Sequence, residues 1–425
     1  AGKVMARSHN ERAEIVGLLD VGTAKVTCLI VERAWTAGHD ALPAVRVLGV
    51  GHQRAAGVKA GMVIDLEAAE AAVRAAVATA ERSADVRLDD VVATISCGRL
   101  KSSHMTTHVD LEVGHVRPED VTRLASAASQ YAVRDDRALV HLNRVAYSLD
   151  GQSGLRDPIR LAGSRLSANW HAVTAVFKQL QNLSAVIDRA HLGVRQFLPG
   201  GLAAAISATT SDERRLGVTC LNIGAGVVDI ACFLDGQFLY ADTIAVGGEH
   251  LTYDIAKNLS TPLAEAERIK TLYGTLVAAR SDEHELIQYA LAGELEGEAY
   301  QTTRAAIGRI LYPRVSNQLR TLSERLVVAE AAVAVGANIV LTGGASQLVG
   351  LADLAARTFG RPVRLGNPPQ LPGLPQSMRS PAFAAVAGLA LAAPPETRQA
   401  FAAPTGRMST GSYLTQMERW LRESF

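Results

Sequence analysis

The sequence predicts an α/β protein with a duplicated fold, because two distant segments repeat one local design. The segments are Glu14–Glu32 and Gly217–Gly236, and each has two apolar runs around a short turn opened by Asp or Asn. Short runs rich in Val, Ile and Leu favour buried strands. The small residues at each tip allow backbone N–H groups to approach a ligand closely. Two such hairpins predict a fold that holds a phosphate chain between its halves.

A third segment, Asn338–Phe359, supports this interpretation. It predicts a buried strand at Ile339–Leu341, a Gly343–Gly344 turn and a helix with Ser346 as N-cap. An isolated Asp-x-Gly segment is most often an ordinary turn, but two such hairpins followed by a strand, a Gly-Gly turn and a helix are specific in this order. A strand, two glycines and a helix start can bring backbone against a flat ring or a phosphate. The helix would have one apolar face, formed by Leu348, Leu351, Leu354 and Ala355.

The composition is that of a globular chain with large cores. At 425 residues and 48% hydrophobic, the chain predicts roughly two to four domains. Lys and Arg number 43 against 42 Asp and Glu, so no overall field favours nucleic acid. Apolar stretches are too short to span a bilayer, and no signal peptide precedes the first strand. Four cysteines lack metal-binding spacing and are interpreted as reduced core thiols: Cys28, Cys97, Cys220 and Cys232.

These motifs resemble those of a known superfamily. The two hairpins and the Gly-Gly turn resemble the phosphate 1, phosphate 2 and adenosine motifs of the actin, Hsp70 and sugar kinase superfamily. From about Glu14 to Phe425 the chain resembles the FtsA family of bacterial cell-division proteins. The resemblance implies a duplicated actin-like (ribonuclease H-like) fold with a nucleotide cleft and a subdomain 1C in place of actin's 1B. The segments that carry it are LLDVGTAKV, SDERRLGV (Ser211–Val218), AERIKTLYG (Ala266–Gly274) and IVLTGGASQLVGL.

The resemblance also implies how the chain is divided. Local signals agree with it, since Asp65 can cap one helix and Pro118 can open another. The expected divisions are a disordered N-terminus 1–12, domain 1A at 13–85 and 168–205, subdomain 1C at 86–167, domain 2A at 206–248 and 336–366, subdomain 2B at 249–335, a return to domain 1A at 367–392, a flexible linker 393–411 and an amphipathic helix 412–425.

The expected ligand is ATP with Mg²⁺. Asp20 can hold Mg²⁺ through water, because this hard cation prefers oxygen ligands and keeps several of its own waters. Glu267 and Lys270 lie one helical turn apart, which is equally consistent with an ordinary surface ion pair and with contact to ribose and adenine. The other expected nucleotide-binding residues are Gly22, Thr23, Ala24, Lys25, Asn222, Gly224, Ala225, Gly226, Gly247, Gly248, Gly343, Gly344 and Ser346.

Departures from the superfamily pattern predict weak catalysis. The second hairpin opens with Asn222 where Asp is usual, which keeps the turn but loses a charge that would help to hold Mg²⁺. Val227 and Val228 stand where polar residues are usual. Phe197–Ser207 has Leu, Pro and Gly where a catalytic base would be expected. The sequence therefore predicts ATP binding with at most weak ATPase activity.

The C-terminus predicts a membrane-binding helix on a flexible tether. Ala393–Ser412 is rich in Pro, Gly, Ala, Ser and Thr and has no helical periodicity. The following residues form an amphipathic pattern that suits a bilayer surface. The alternative is a helix that docks on the protein itself or on a partner. The apolar face consists of Tyr413, Leu414, Met417, Trp420, Leu421 and Phe425.

The resemblance implies partners and a place in the cell. FtsA-like proteins bind the acidic C-terminal tail of the tubulin-like protein FtsZ through 2B, self-associate into filaments and recruit other division proteins through 1C. They anchor the FtsZ ring at the septum, on the cytoplasmic face of the inner membrane. An actin-fold ATPase of pilus assembly and an actin-fold kinase are the alternatives. The candidate partner-binding residues, for which a solvated basic face is the alternative, are Arg304, Arg309 and Arg314.

Overall fold

A computed structural model describes residues 13–392, with gaps at 36–41, 98, 134–135, 278, 294–299 and 333–337. The N-terminal segment 1–12 and the linker and helix expected at 393–425 lie outside the described residues. The strands, in chain order, are β1 Ala13–Val21, β2 Lys25–Ala34, β3 Ala44–Arg54, β4 Val58–Lys59, β5 Met62–Val63, β6 Asp90–Ile95, β7 Lys101–Asp110, β8 Arg137–Leu149, β9 Gln152–Leu155, β10 Arg165–Val176, β11 Gly193–Pro199, β12 Val218–Ile223, β13 Val228–Leu234, β14 Gln237–Ile244, β15 Leu286–Tyr289, β16 Tyr300–Thr303, β17 Asn338–Thr342 and β18 Val363–Leu365.

The helices connect and cover these strands. Short 3₁₀ helices lie at Arg280–Glu283, Gly344–Gln347, Gln376–Met378 and Pro381–Phe383. The α-helices, in chain order, are α1 Leu66–Ala84, α2 Pro118–Ala132, α3 Phe177–Arg189, α4 Gly200–Ala208, α5 Ser211–Leu216, α6 Gly248–Leu259, α7 Leu263–Tyr273, α8 Arg304–Ala332, α9 Leu351–Phe359 and α10 Ala384–Leu391.

Two sheets with the same strand order confirm the duplicated fold. The first half has the order β11-β6-β1-β2-β3, and the second half has β18-β17-β12-β13-β14. In each half, the first three strands in chain order pair antiparallel with one another. The fourth strand pairs in parallel with the first, and the fifth pairs in parallel with the fourth. Both sequence-predicted hairpins, β1–β2 and β12–β13, therefore occupy equivalent central positions.

Buried helices pack between the two sheets. Helices α4 and α10 are rich in alanine and almost entirely buried. They approach so closely that a Cβ on Gly388 would lie 1.7 Å from the carbonyl oxygen of Ala203. On the outer face of the first sheet, Asp65 caps α1 by accepting hydrogen bonds from the N–H groups of Glu67 and Ala68. The Asp65 cap was predicted from the sequence.

An inserted unit of four strands extends the second sheet. Its strands run in the order β7-β10-β8-β9, and β7 joins β14 through a bridge between Lys101 and Asp242. Strand β6 pairs with β1 and β11 in the first sheet, so the expected start of the insert at residue 86 is wrong for this strand. Helix α2 covers one face of the insert and begins at Pro118, as predicted.

Two further sequence predictions, on the cysteines and on membrane-spanning segments, can be compared with the described residues. All four cysteines are buried and unpaired. Within the described ranges, no helix combines the length and apolar character needed to cross a bilayer.

Candidate functional site

A cleft of about 520 Å³ lies between the two halves. Its walls are the tips of the β1–β2 and β12–β13 hairpins, the turn after β17, and α7. Of the residues predicted for nucleotide binding, Gly247 and Ser346 do not line the cleft. Those that do are Asp20, Gly22, Thr23, Ala24, Lys25, Asn222, Gly224, Ala225, Gly226, Gly248, Glu267, Lys270, Gly343 and Gly344.

The two hairpin tips have the same closed geometry. The N–H of Gly22 donates to the carbonyl of Lys25, and the N–H of Gly224 donates to the carbonyl of Val227, both at 2.9 Å. These two N–H groups close the turns and do not point to a ligand, contrary to the expectation for Gly22 and Gly224. Donors toward a ligand must come from the next residues at each tip, which are Thr23, Ala24, Ala225 and Gly226.

The tips meet each other and a third turn that the sequence did not predict. A Cβ on Gly226 would lie 2.4 Å from Thr23 Oγ1, so only glycine fits at this contact. Thr23 Oγ1 in turn accepts a hydrogen bond of 3.1 Å from the N–H of Gly61. Gly61 belongs to the small β4–β5 hairpin and lines the cleft. Three backbone turns therefore converge where a phosphate chain would lie.

A row of polar residues crosses adjacent strands below each tip. Cross-strand register sets both rows, because opposite residues of a pair point to the same face of a sheet. Each row contains one carboxylate. It is Asp20 on β1, the first strand of the first hairpin, and Asp229 on β13, the second strand of the second hairpin. The rows are Thr94, Asp20, Thr27 and His52 in the first half, and Thr342, Asn222, Asp229 and Thr243 in the second.

Asp229 is a candidate site residue that the sequence interpretation missed. It lines the cleft and lies directly opposite Asn222, whose amide donates to its Oδ2 at 3.2 Å. Hydroxyl groups of Ser96 and Thr243 donate to the two carboxylate oxygens, each at 2.8 Å. Burial raises the pKa of Asp229 to about 6, and the charge of Asp20 adds to the rise. The carboxylate that is missing at Asn222 is therefore present on the second strand of the hairpin. The strand register, which pairs Asn222 with Asp229, would have revealed this position.

Asp20 and Lys25 form the charged part of the first tip. The Thr94 hydroxyl donates to Asp20 Oδ1 at 2.5 Å. Burial raises the pKa of Asp20, opposed by this hydrogen bond and by Lys25. The Lys25 ammonium donates to the carbonyl of Ala382 and lies 4.3 Å from the ring centroid of Phe383. Burial lowers the pKa of Lys25, opposed by the charge of Asp20.

The Gly247–Gly248 turn supports the second tip from behind. The N–H groups of Gly248 and Glu249 donate to the carbonyls of Gly224 and Ala225, at 3.0 and 2.8 Å. A Cβ on Gly247 would lie 2.3 Å from the Ala225 carbonyl oxygen. The turn therefore binds the hairpin, whereas the sequence had assigned both glycines to the nucleotide.

Glu267 and Lys270 form an ion pair and also line the cleft. Lys270 Nζ lies 2.7 Å from Glu267 Oε2 and donates to the carbonyl of Gly248 at 3.1 Å. Thr252 of α6 links the pair, because its hydroxyl accepts from Lys270 at 2.9 Å and donates to Glu267. The expected ion pair is therefore confirmed, whereas contact with ribose and adenine stays a prediction for two residues that line the cleft. The Thr252 contacts tie α7 to the start of α6.

The turn after β17 requires glycine at Gly343. This residue has φ +89°, and a Cβ there would lie 2.4 Å from the Ile223 carbonyl oxygen. Ser346 is 1% exposed, and its hydroxyl donates to the Gly343 carbonyl at 2.7 Å. The prediction of Ser346 as a helix N-cap is wrong, because a 3₁₀ turn intervenes and α9 begins after Gly350. Ser346 instead stabilises the turn.

The start of α4 packs directly on the buried carboxylate. A Cβ on Gly200 would lie 3.1 Å from Asp229 Oδ2 and 2.1 Å from Ser96 Oγ. No side chain can therefore be added at this point of the helix without displacing the Ser96 hydroxyl that donates to the carboxylate. Gly200, one of the residues that stand where a base was expected, thus leaves room for the Ser96–Asp229 pair.

The three candidate arginines lie on α8 in different environments. Arg314 pairs with Asp254 of α6 through two hydrogen bonds of 2.6 and 2.8 Å. Arg304 lies 3.2 Å from Glu285. Arg309 is exposed and makes no ion pair within the described part of the chain. A groove of about 750 Å³ between α6 and α8 is lined by Asp254, Asn258, Ala306, Arg309, Ile310, Pro313, Arg314 and Asn317.

Two sheets of one topology around a cleft built from paired hairpin tips define a protein of the actin-like class. Comparison with known sequences is more specific. A model described as cell division protein FtsA matches residues 219–388, and one described as the SHS2 domain inserted in FTSA matches residues 97–174. The second match covers β7 to most of β10, in agreement with the observed insert.

Full-length relatives give the same result. Cell division protein FtsA of Rhizobium meliloti is 36% identical over 424 residues, with 98% of this chain and 96% of that protein covered. Cell division protein FtsA of Escherichia coli is 30% identical over 426 residues, covering 98% and 99%. The chain belongs to the FtsA family of cell-division proteins.

A solved structure shares the fold at low sequence identity. The "PilM-PilN type IV pilus biogenesis complex" matches with a TM-score of 0.63 and 16% identity, covering 88% of this chain and 97% of that one. This likeness shows a common fold only. Pilus assembly was an alternative from the sequence, and the far higher identity to FtsA proteins favours cell division.

Proposed function

We propose that this cell-division protein binds ATP with Mg²⁺ in the cleft and polymerises on the membrane, where it anchors the FtsZ ring. The observation that carries the nucleotide proposal is the arrangement of Asp20 and Asp229 below two facing hairpin tips. The tips supply backbone N–H groups for phosphate oxygens, and Lys25 supplies a cation.

The donor set fits Mg²⁺. Asp20, Asp229 and Asn222 offer oxygen ligands or partners for metal-bound water, which hard cations prefer. Bound Mg²⁺ would neutralise phosphate charge. Because Lys25 donates to the Ala382 carbonyl, a phosphate has to compete with that carbonyl for the ammonium.

Slow hydrolysis follows from the same contacts. Both oxygens of Asp229 already accept hydrogen bonds from neighbouring side chains, so this carboxylate is poorly placed to take a proton from water. The first residues of α4 carry no acid or amide. We therefore infer at most weak ATPase activity.

The groove between α6 and α8 suits the acidic tail of FtsZ. Arg309 is exposed at the groove. Arg314 also lines the groove, and its guanidinium forms an ion pair with Asp254. Ile310 and Pro313 provide apolar contacts between the charges. Charge complementarity of this kind favours an acidic peptide over a basic one.

Residues 412–425 are proposed to attach the protein to the cytoplasmic face of the inner membrane at the septum. Six apolar side chains can each contribute roughly 1.5–3 kcal/mol before ordering costs. A helix this short is marginal alone. Filaments that present many copies would bind by avidity, so polymerisation and membrane attachment are coupled. The insert is the proposed contact for later division proteins.

Liposome co-sedimentation with MgATP tests the proposal. The full chain should sediment with anionic vesicles, whereas a chain ending at Gly411 should remain in the supernatant. Trp420→Glu should behave like the truncation, and Glu418→Gln on the polar face is the matched control. Membrane binding that survives truncation would disprove anchoring by this helix. Rapid phosphate release in the same samples would disprove weak hydrolysis.

A further inference from the structure

Helix α6 connects the two candidate binding regions. Its first residue, Gly248, lines the nucleotide cleft, and its later residues Asp254 and Asn258 line the groove. An α-helix rises 1.5 Å per residue, so less than two turns separate Gly248 from Asp254. Because α6 is a rigid helix, a displacement at the groove also moves its first residue at the cleft.

At the groove, one ion pair among the described residues joins α6 to α8, in addition to the apolar core that the two helices share. Arg314 Nε and Nη2 donate to the two oxygens of Asp254, at 2.6 and 2.8 Å. Arg314 is 40% exposed at its side chain and Asp254 is 21% exposed, so another carboxylate can reach the guanidinium. The planar fork binds one carboxylate in bidentate geometry on that edge. An acidic peptide that binds Arg314 thus competes with Asp254.

At the cleft, the start of α6 is held from two sides. The N–H groups of Gly248 and Glu249 donate to the second hairpin tip, as described above. From the other side, Gln318 Nε2 of α8 donates to the carbonyl of Gly247 at 3.2 Å. Gln318 follows Arg314 by four residues and so lies on the same face of α8. The two polar contacts that Arg314 and Gln318 make with α6 and its N-cap residue are therefore adjacent along one face of α8, beside the apolar core that the helices share.

We propose that an acidic peptide bound at Arg314 weakens nucleotide binding, with Gln318 as the positioning residue that couples groove and cleft. This proposal rests on the two binding sites of the proposed function. Loss of the Arg314–Asp254 contact removes one restraint on the angle between α6 and α8, which remain packed through their shared apolar core. A small change in that angle lengthens the Gln318 contact and weakens the support of the Gly224–Gly226 tip. Linkage makes the effect reciprocal, so nucleotide also weakens peptide binding.

Isothermal titration of the full chain measures this coupling. MgATP is titrated alone and with a saturating synthetic peptide carrying the FtsZ C-terminal tail sequence. The peptide should weaken MgATP binding about fivefold, at the lower end of typical couplings. In Gln318→Ala the same peptide should change MgATP affinity by less than about twofold. Glu324→Ala, an exposed position on the same helix, is the control and should retain the full effect.

Asp254→Asn tests the link without any peptide. It weakens the contact with Arg314 and should itself lower MgATP affinity, while the peptide then has little further effect. If the peptide binds and MgATP affinity is unchanged or higher, the coupling is disproved and the groove proposal stands. If no peptide binds, both are disproved. Equal coupling in Gln318→Ala and in the unmodified chain would remove Gln318 from the mechanism.

Discussion

At the residue scale, Asp229 combines a cost in stability with a proposed role in binding. The carboxylate is 1% exposed and its pKa is raised to about 6, chiefly by burial. A raised carboxyl pKa means that the folded state holds its proton more tightly than the unfolded state does. The stability contribution therefore falls as pH rises from the unfolded pKa through about 6.

Asp229→Asn should increase stability and reduce Mg²⁺-dependent nucleotide binding. The amide removes a buried charge, so the free energy of unfolding at pH 7.5 should rise by on the order of 2 kcal/mol. The gain should fade as pH drops below 6. Denaturant unfolding at several pH values measures the first effect, and MgATP titration measures the second. A variant that binds MgATP as tightly as the unmodified chain would contradict the assigned role.

Gly343→Ala should impair both folding and nucleotide binding. The new Cβ would meet the Ile223 carbonyl oxygen and would force a left-handed conformation on alanine, at a cost of roughly 2 kcal/mol or more. Gly360→Ala is the matched control, since Gly360 has φ +64° with open space around a Cβ. It should lose only roughly 1 kcal/mol and keep full affinity. Thermal unfolding and MgATP titration are measured for both variants. Equal losses of stability and affinity in the two would contradict the close approach of Gly343 to the Ile223 carbonyl.

At the scale of elements, the insert is joined to the second half through a polar seam on β14. Ser102 accepts from the N–H of Ala241 at 2.7 Å, and Asn143 donates to the Phe238 carbonyl at 2.9 Å. His171 contacts both sides, with Nδ1 2.9 Å from the Phe238 carbonyl oxygen and Nε2 2.9 Å from Ser102 Oγ. The insert belongs to the first half by chain connection, so the seam ties the two halves together.

The seam should weaken in acid. Burial lowers the pKa of His171 to about 3, with the charges of His104 and His141 adding to the effect. The unfolded state therefore binds the proton more tightly, and stability is lost as pH falls below about 6.5. By pH 5 the loss is about 2 kcal/mol from this residue. Urea unfolding at pH 7.5 and 5 measures it, and His171→Gln should reduce the difference by about this amount, whereas His141, whose pKa burial lowers to about 4, keeps its own share. An unchanged pH dependence in the variant would refute this origin.

At the scale of the whole molecule, the cleft lies between two halves that share part of their core. One cluster of buried apolar residues includes strands of both sheets, and a second cluster belongs to the second half alone. A ligand that contacts both hairpin tips has to bind them in one relative position. Nucleotide binding should therefore stabilise the complete fold.

MgATP should raise the unfolding temperature of the full chain. A ligand at 100 times its Kd stabilises the folded state by about 2.7 kcal/mol. Lys25→Met should lose most of this effect, because the cation faces the phosphate site. Lys59→Met is the control, since Lys59 is exposed and does not line the cleft. Thermal scans with and without MgATP compare them, and an equal shift in Lys25→Met would exclude a phosphate contact.

The sequence by itself determined the local elements and their duplication. Apolar runs, small tips and helix caps predict β1–β2, β12–β13 and the cap at Asp65, because these signals depend on neighbours in the chain. Motifs within those segments also pointed to the family that full-length comparison confirmed.

Only the tertiary structure decided which groups face the ligand. Asp229 reaches the cleft because strand register places it opposite Asn222, and Ser346 is buried because a 3₁₀ turn precedes α9. The Gly247–Gly248 turn binds a hairpin that lies more than 20 residues earlier, and Gln318 meets it from α8. Such contacts join segments that are distant in the chain, so the local pattern of apolar and polar residues does not predict them.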